Sequence, residues 1–199
     1  MGSGAAGRGR PTSGRSRSDQ PLPELLKALL VGAMWPRCAK VEAPSDSRAR
    51  GRGAEADAPP VPPKIKIKDD TGVASATLHP SSVLYRLAQS LRPAHIIYSE
   101  ATRAGADGAI RLRDATPISS FSLLLFGGRL YHDAKAGVIG IDDGWIRFRM
   151  AADVADLILA ARRQLDALLK KKWEAPQDDT SAQSEKLIRA VHELLAMGR

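Results

Sequence analysis

Short segments of alternating polarity occupy the centre of the chain and restrict its fold more than any other feature. Residues 64–68 read KIKIK, a strict alternation that is typical of a strand with one buried face. Ile65 and Ile67 would face inward and the lysines, including Lys66, would face outward. Further short segments follow at spacings of about 8–12 residues, separated by turn residues, which predicts a small closed β-barrel or a sandwich.

The remaining predicted strands are short apolar or alternating segments. They are residues 95–99, 109–113, 121–126, 129–132, 138–141 and 145–149. Asp107 and Gly108 form a hairpin signal between the first two of these segments. In the last segment, Arg147 and Arg149 share the polar face.

Helices are predicted on both sides of the strands. Apolar residues with the 3.6-residue period indicate a helix that begins near Pro23 and ends before Pro36. A second amphipathic helix follows the strands over residues 151–173, and a last helix runs over residues 181–197. Apolar stripes of this kind most often pack against a neighbouring element of the core.

Two low-complexity segments lack the apolar side chains that a core needs. Residues 1–20 are rich in Arg, Gly and Ser, and residues 42–63 combine Arg48, Arg50 and Arg52 with a Pro-rich run. We predict disorder in the first segment and an exposed insertion in the second. The first is either a solvated tail or a weak, non-specific arm for RNA.

The chain is therefore expected to divide into six parts. These are a disordered segment (1–20), an N-terminal helix with a first strand (21–41), an insertion (42–63), a barrel (64–150), a closing helix (151–175) and a C-terminal helix (180–199).

The sequence offers little for catalysis. It contains no phosphate loop, no dinucleotide-binding glycine pattern and no nucleophile elbow. The four histidines have no partner at a recognised metal-ligand spacing, and Cys38 is the single cysteine. Asp142 and Asp143 directly precede Gly144, which favours a turn over an acid–base pair. We predict no catalytic residue, no metal and no cofactor.

Charge favours an anionic partner. The chain has 30 Lys and Arg against 22 Asp and Glu, a net charge of +8. Outward cations recur on three predicted strands, at residues 64–68, 111–113 and 147–149, which is typical either of a solvated sheet face or of nucleic-acid contact. Tyr98 and Tyr131 would be stacking platforms or would fill the barrel.

The longest apolar stretches, residues 25–35 and 123–128, are shorter than the roughly 20 residues that span a bilayer, so no membrane partner is predicted.

Six sequence segments taken in order resemble the C-terminal region of DEAH/RHA-type ATP-dependent RNA helicases. They are LLKALLVGA (25–33), LHPSSV (78–83), IIYSE (96–100), IRLRDA (110–115), LLLFGG (123–128) and DDGWIRF (142–148). The resemblance covers residues 22 to about 175. The ordered set of LHPSS, LFGG and DGWIRF carries most of its specificity.

The resemblance implies a mainly β fold with flanking helices. This is an oligonucleotide-binding (OB) fold, a Greek-key barrel, with a helix leading into it and C-terminal helices after it. It also implies a position over a helicase core, along an RNA channel. The candidate RNA contacts are Thr102 and Arg103 after the IIYSE motif, together with Arg111, Arg113, Lys66 and His79. His79 and the serines after it are alternatively structural, because a buried turn needs its hydroxyls for backbone groups.

Two hypotheses follow. In the first, the chain is an OB-fold module that binds single-stranded RNA through backbone charge and has no ATPase activity by itself. In the second, it is a protein-interaction module that docks a helicase core, in cis or in trans, or a protein activator, through the apolar stripe of residues 25–33. The chain would be either part of a larger helicase or free-standing. We expect an intracellular location in the nucleus or cytoplasm, with an organelle left open.

Overall fold

A computed structural model describes residues 22–42, 63–87, 94–104 and 108–198 of the chain. The predicted segment 1–20 and nearly all of the predicted insertion 42–63 lie outside the described residues. The described residues form these elements: α1 (Leu22–Met34), β1 (Cys38–Glu42), β2 (Lys64–Asp69), β3 (Gly72–Leu78), α2 (Val83–Leu87), β4 (Ala94–Ile97), β5 (Glu100–Ala104), β6 (Ala109–Arg113), β7 (Thr116–Ile118), α3 (Ser120–Phe126), β8 (Leu130–Asp133), β9 (Val138–Ile141), β10 (Ile146–Arg149), α4 (Ala152–Glu174) and α5 (Ser181–Met197).

The larger sheet is curled into a half-barrel. Its strand order is β5-β6-β3-β2-β1-β4-β7. Strands β1, β2 and β3 form an antiparallel meander, whereas β3 and β6 run parallel. Strands β4 and β5 are separated by only Tyr98 and Ser99, yet β5 ends the sheet on one side and β4 lies near the other side. The sheet must therefore curl to bring these strands together, which gives an OB-fold-like arrangement and confirms the predicted fold class.

The apolar side chains that alternate along the strands fill the interior of this half-barrel. Ile65, Ile67 and Leu112 are buried, as their alternation with lysines and arginines predicts. Tyr98 is only 6% exposed and belongs to the same core cluster. Of the two functions considered for Tyr98, it therefore fills the barrel and does not offer a stacking surface.

A separate three-stranded sheet holds the last predicted strands. Its order is β10-β9-β8, with both pairs antiparallel. The expectation that these strands join the barrel is wrong. Ile141 and Ile146 are fully buried in a cluster with Val31 of α1, Leu123 of α3 and residues of the larger sheet such as Ile97. Their inner face is therefore covered by packing, without hydrogen-bonded pairing to the larger sheet. Arg147 and Arg149 accordingly lie on a different sheet from Arg111.

Residues 121–126, predicted as a strand, belong to the helix α3. The Ser119 side chain accepts a hydrogen bond from the Ser122 N–H at 3.1 Å and so caps the helix. Leu123, Leu124 and Leu125 are all buried because α1, α4 and α5 contact α3 on several sides. A short apolar run that is buried all round has no amphipathic period, which is why the pattern misled the prediction.

The hairpin signal at Asp107 and Gly108 also needs correction. Gly108 lies in the connection from β5 to β6, and residues 105–107 lie outside the described part of the chain. The hairpin therefore joins β5 and β6, and not β4 and β6. Strand β5 was missed as a separate element because the EATRA segment lacks β-branched and aromatic residues apart from Thr102.

The terminal helices pack together beneath the sheets. Helix α1 ends before Pro36 as predicted, and α5 spans the predicted residues. Ala28 of α1, Leu125 of α3, Leu165 of α4 and Leu195 of α5 share one core cluster. None of the helices in the described ranges is apolar over enough of its length to cross a membrane.

Candidate nucleic-acid interface

The outer side of strands β5 and β6 brings several predicted contacts together. Ile110 and Leu112 are buried, so the alternating Arg111 and Arg113 point away from the core. The register places Thr102 directly opposite Arg111, and cross-strand partners share a face of the sheet. We call Thr102, Arg111, Arg113 and the neighbouring His79 the β6 face.

His79 is held beside Arg113 by the turn that follows β3. Its N–H donates to the Leu112 carbonyl at 2.8 Å, which extends the β3–β6 pairing. Its ring Nδ1 lies 3.1 Å from the Ser81 backbone N and 2.7 Å from the Ser81 hydroxyl. Its ring Nε2 lies 3.3 Å from the Arg113 guanidinium Nη2. With the proton on Nδ1, the ring donates to the Ser81 hydroxyl and accepts from Arg113, whereas with the proton on Nε2 it accepts from Ser81.

The contact between His79 and Arg113 holds the guanidinium at the edge of the β6 face. A guanidinium has five N–H donors, so the contact with His79 leaves other donors of Arg113 for a further acceptor. A phosphate oxygen is such an acceptor.

The turn that follows His79 also has a structural role. The Ser82 N–H donates to the His79 carbonyl at 2.9 Å, and the Ser82 carbonyl accepts the Tyr85 N–H at the start of α2. Ser82 is 5% exposed, and its hydroxyl has no hydrogen-bond partner among the described residues. The HPSS segment therefore fixes the path of the chain and at the same time aims the His79 ring at Arg113.

Arg103 lies on β5 beside a groove rather than within the β6 face. Its Nη2 is 3.3 Å from the Asp69 carboxylate, and 64% of its side chain is exposed. Hydrogen bonds from Thr71 to Asp69, followed by the charge of Arg103, keep the pKa of Asp69 below its usual value. The groove has a volume of about 470 Å³ and runs between β3 and the start of β6, where Ser75 and Thr77 line it.

Lys66 lies two strands away from Arg111. It pairs with Ser75 on β3 and with Lys40 on β1, so it faces outward in a different row. The structure thus brings together Thr102, Arg111, Arg113 and His79 and leaves Arg103 and Lys66 at the border. Ser75 and Thr77 were missed as candidates because small hydroxyl residues on a strand carry no distinctive sequence signal.

The outer lysines near the second sheet have other partners. The Lys40 ammonium donates to the Trp145 carbonyl and lies 5.0 Å from the centre of the Trp145 ring. Burial lowers the pKa of Lys40. Lys68 forms an ion pair with Asp143. These cations hold the two sheets together.

His95 completes this contact between the sheets. Its ring centre lies 5.5 Å from that of Phe148 on β10. Burial, with the nearby charge of Lys40, lowers the pKa of His95 to about 4. We call the contact of Lys40, Lys68 and His95 with residues 143–148 the seam.

Asp142 explains two of the sequence motifs on structural grounds. Its carboxylate accepts the Trp35 indole N–H and the Arg129 N–H, each at 2.8 Å. It lies so close to Gly128 that a Cβ atom there would overlap the carboxylate. Asp142 has a positive φ of 50°, in a turn as predicted. The LFGG and DDGW segments therefore meet at one joint between α1, β8 and β9.

Metal binding has no evident place among these residues. Within residues 22–42, 63–87, 94–104 and 108–198, no three His, Cys, Asp or Glu side chains lie close enough together to hold an ion. Cys38 is buried, and burial raises the pKa of its thiol to about 12.

The sequence of this chain is similar to sequences of helicases. The family described as the C-terminal domain in RNA helicases matches residues 139–197, from β9 through α5. A DEAH-box ATP-dependent helicase from Mycosarcoma maydis is 31% identical over 77% of this chain. The DExH-box ATP-dependent RNA helicase DExH1 from Arabidopsis thaliana is 33% identical over 59% of it. The ATP-dependent DNA/RNA helicase DHX36 from Mus musculus is 25% identical over 98% of it.

The chain spans only a small part of these relatives. It covers 10%, 12% and 18% of their respective lengths. The matches confirm the resemblance drawn from the sequence motifs.

Proposed function

Since this chain is related to the C-terminal domain of DEAH/DExH-box RNA helicases, we propose that it binds single-stranded RNA through the β6 face. Arg111 and Arg113 would contact phosphates beside Thr102, whose hydroxyl donates to the Arg111 carbonyl at 3.4 Å. Lys66 would extend the positive field at one border. Arg103 is opposite the buried Ile110 and pairs with Asp69, so it would contribute only from outside this face. Binding of this kind reads backbone charge and is nearly independent of base sequence.

The arrangement of Arg113 beside His79 carries this proposal. The Ser81 N–H contacts the imidazole Nδ1 at 3.1 Å, and the imidazole Nε2 lies 3.3 Å from the Arg113 guanidinium, so the arginine side chain is held in place. A side chain that is already held in place has less entropy to lose when a phosphate binds. The charge-assisted hydrogen bonds that result are stronger than those between neutral groups.

The groove beside Arg103 supports the same location. Oligonucleotides commonly bind OB-folds across strands 2 and 3 and at the loops that join strands 1–2 and 4–5. Here β3 and the Gly108 connection line the groove.

Reversal of the two arginine charges tests the proposal. We expect Arg111→Glu with Arg113→Glu to weaken the Kd for unrelated single-stranded RNA oligonucleotides by more than about tenfold, and by the same factor for each sequence. Arg163→Glu with Lys186→Glu, on the C-terminal helices, is the control with the same change in charge. Equal losses in the two variants would mean that net charge alone attracts RNA, and no loss in the first would remove these arginines from the site.

ATP hydrolysis is proposed to belong to domains outside this sequence. The chain has no phosphate loop of the P-loop type, and the relatives that are named ATP-dependent helicases are several times longer. Purified chain should therefore show no ATP hydrolysis in the presence of RNA. Measurable RNA-stimulated hydrolysis would contradict this assignment.

An apolar face on α1 favours the second candidate function, docking of a helicase core. Leu26, Leu29 and Leu30 are between 42% and 51% exposed, although Ala28 and Val31 on the same helix are fully buried. A helicase core, in cis or in trans, would cover these leucines. We expect Leu26→Gln with Leu30→Gln to leave RNA affinity unchanged and to weaken binding to a core fragment. A protein activator and a nuclear or cytoplasmic location stay predictions.

A further inference from the structure

The Tyr131 ring lies directly against the backbone of two glycines on the outer side of the second sheet. A Cβ atom at Gly140 or at Gly144 would overlap the Tyr131 ring, so the ring sits directly on the backbone at both positions. Both glycines are buried beneath it, while Tyr131 itself is 41% exposed. One side of the ring is therefore covered and the other side faces solvent. No other aromatic ring pairs with it among the described residues.

Two arginines stand on the same side of this sheet. Arg147 lies opposite Gly140, and Gly140 lies opposite Tyr131, so the three residues form one row across β10, β9 and β8. Arg149 is two residues along β10 and is likewise exposed. The inner side of the sheet is taken by residues such as Ile146, which is fully buried.

The charges around this row are mainly positive. The Nε of Arg147 donates to the Gly144 carbonyl at 2.6 Å, which fixes the side chain beside the Tyr131 ring. Lys40 is near enough that the charge of Arg147 contributes to lowering its pKa, after the larger effect of burial. Asp133 is the acidic residue on this side of β8, and its carboxylate accepts the N–H groups of Lys135 and Ala136.

We propose that this outer side of the second sheet is a second contact site for single-stranded nucleic acid. An unpaired base would stack on the free side of the Tyr131 ring, and Arg147 and Arg149 would hold the flanking phosphates. Base–aromatic stacking beside cations is the usual chemistry of single-strand binding, and it tolerates any base. The site is separate from the β6 face, since it lies on a different sheet and uses none of the same residues.

The composition of the patch favours nucleic acid over a protein partner. Its residues are one aromatic ring and two guanidinium groups, and Val138, which is half-buried, is the apolar neighbour on β9. A protein interface normally has an apolar core that excludes water. Here a ring with one exposed side is flanked by two guanidinium groups, with Asp133 in the row of Arg149, and the ring and the guanidinium groups complement a base and its phosphates.

The position also suits a strand that has already bound the β6 face. Outward cations occur on β6 (Arg111) and β2 (Lys66), and neighbouring strands lie about 4.8 Å apart. Strand β1 lies next to β2, and its Lys40 contacts Trp145 beside the row that holds Arg147. A longer single strand that leaves the β6 face across β2 would therefore reach the second sheet near Arg147.

Photo-crosslinking tests the stacking directly in the unmodified chain. A single-stranded oligouridylate of about 12 nucleotides with 5-iodouridine at successive positions would be irradiated with the full chain, and crosslinked peptides would be mapped by mass spectrometry. We expect a crosslink at Tyr131. Crosslinks confined to other residues would overturn the proposal.

Variants of the patch measure how much it contributes to RNA affinity. Tyr131→Phe should bind as the parent does, whereas Tyr131→Thr should weaken the Kd for the 12-mer by at least about fivefold, because a base loses its stacking partner. Arg147→Glu with Arg149→Glu should weaken it further, against the same Arg163→Glu, Lys186→Glu control. Circular dichroism would check folding, and the crosslink in the parent chain decides the matter if Tyr131→Thr does not fold.

The outcomes separate this inference from the proposed function. In one outcome, the Arg111→Glu, Arg113→Glu variant loses affinity, while Tyr131→Thr and the changes at Arg147 and Arg149 have no effect. That outcome would disprove the second site and leave the first intact. The reverse pattern would leave the second site and remove the β6 face. No binding by the parent chain would contradict both.

Discussion

Lys68 and Arg113 occupy comparable positions in the sequence but different surroundings in the structure. Each is an outward residue on a strand whose inward neighbours are buried aliphatic side chains. Lys68 pairs with Asp143 from the second sheet, whereas Arg113 contacts the His79 ring and no carboxylate among the described residues. The seam thus uses its cations within the fold, and the β6 face presents its cations to solvent.

The comparison shows that the role of an outward cation on a strand depends on which groups of other elements contact it. At the seam, residues 143–148 supply a carboxylate, a carbonyl and aromatic rings to the lysines and to His95. At the β6 face, Arg111 and Arg113 form no ion pair with a carboxylate among the described residues, and Arg113 contacts the His79 ring. Changes to Lys68 or His95 should therefore alter stability and spare RNA binding, and changes at the β6 face should do the reverse.

The largest change in stability is expected from substitution of Asp142, in the turn beside the seam. Asp142→Ala removes both hydrogen bonds from the carboxylate and places alanine at a positive φ, so we expect a loss of about 3 kcal/mol in unfolding free energy. Asp142→Asn tolerates that φ and keeps one acceptor oxygen, so its loss should be about 1 kcal/mol. Urea unfolding measures both, and equal stability of the alanine variant and the parent would disprove the structural role.

A pH dependence is expected at His95. Its folded pKa of about 4 lies below the ordinary value near 6.5, so the unfolded chain binds a proton more readily between these values. The stability from His95 is complete above about pH 6.5 and declines as pH falls toward 4. The decline should be about 2 kcal/mol between pH 7 and pH 5. His95→Gln should lack this part of the slope, and an identical slope in both chains would rule it out.

The smallest effect is expected for the ion pair at the seam. Lys68 and Asp143 have side chains that are 34% and 51% exposed, and exposed pairs contribute less than about 1 kcal/mol. Lys68→Ala should therefore lower stability slightly and leave the RNA Kd within about twofold. Arg113→Ala should do the opposite, with a weaker Kd and unchanged unfolding. A large loss of RNA affinity in Lys68→Ala would remove the distinction between the two regions.

Much of the fold could be predicted because it follows from local alternation and period. The inward isoleucines of β2, the polar face of β10 and the last two helices all came from side-chain periodicity. Helix α3 was missed because burial on several sides erases the period. Strand β5 was missed because its pairing with β6, rather than its own residues, defines it.

The candidate site was predictable only in part. Alternation marks Arg111 and Arg113 as outward, but it does not show which outward cations another element will cover. Lys68 and Lys66 read alike in the sequence, and only the tertiary structure pairs Lys68 with Asp143. The position of the His79 ring depends on its contacts with Ser81, and the position of the Tyr131 ring depends on two glycines that lie 9 and 13 residues away in sequence. These relations are set by register and packing.

The salt dependence of RNA binding tests the central claim most directly. The Kd of the parent chain for a single-stranded oligonucleotide would be measured from 50 to 200 mM salt, beside the Arg111→Glu, Arg113→Glu variant. Each phosphate contact on a single strand contributes about 0.7 to the slope of log Kd against log salt. We predict a slope that is shallower by about 1.4 or more in the variant. Parallel lines for the two chains would show that these arginines do not contact phosphates and would contradict the account.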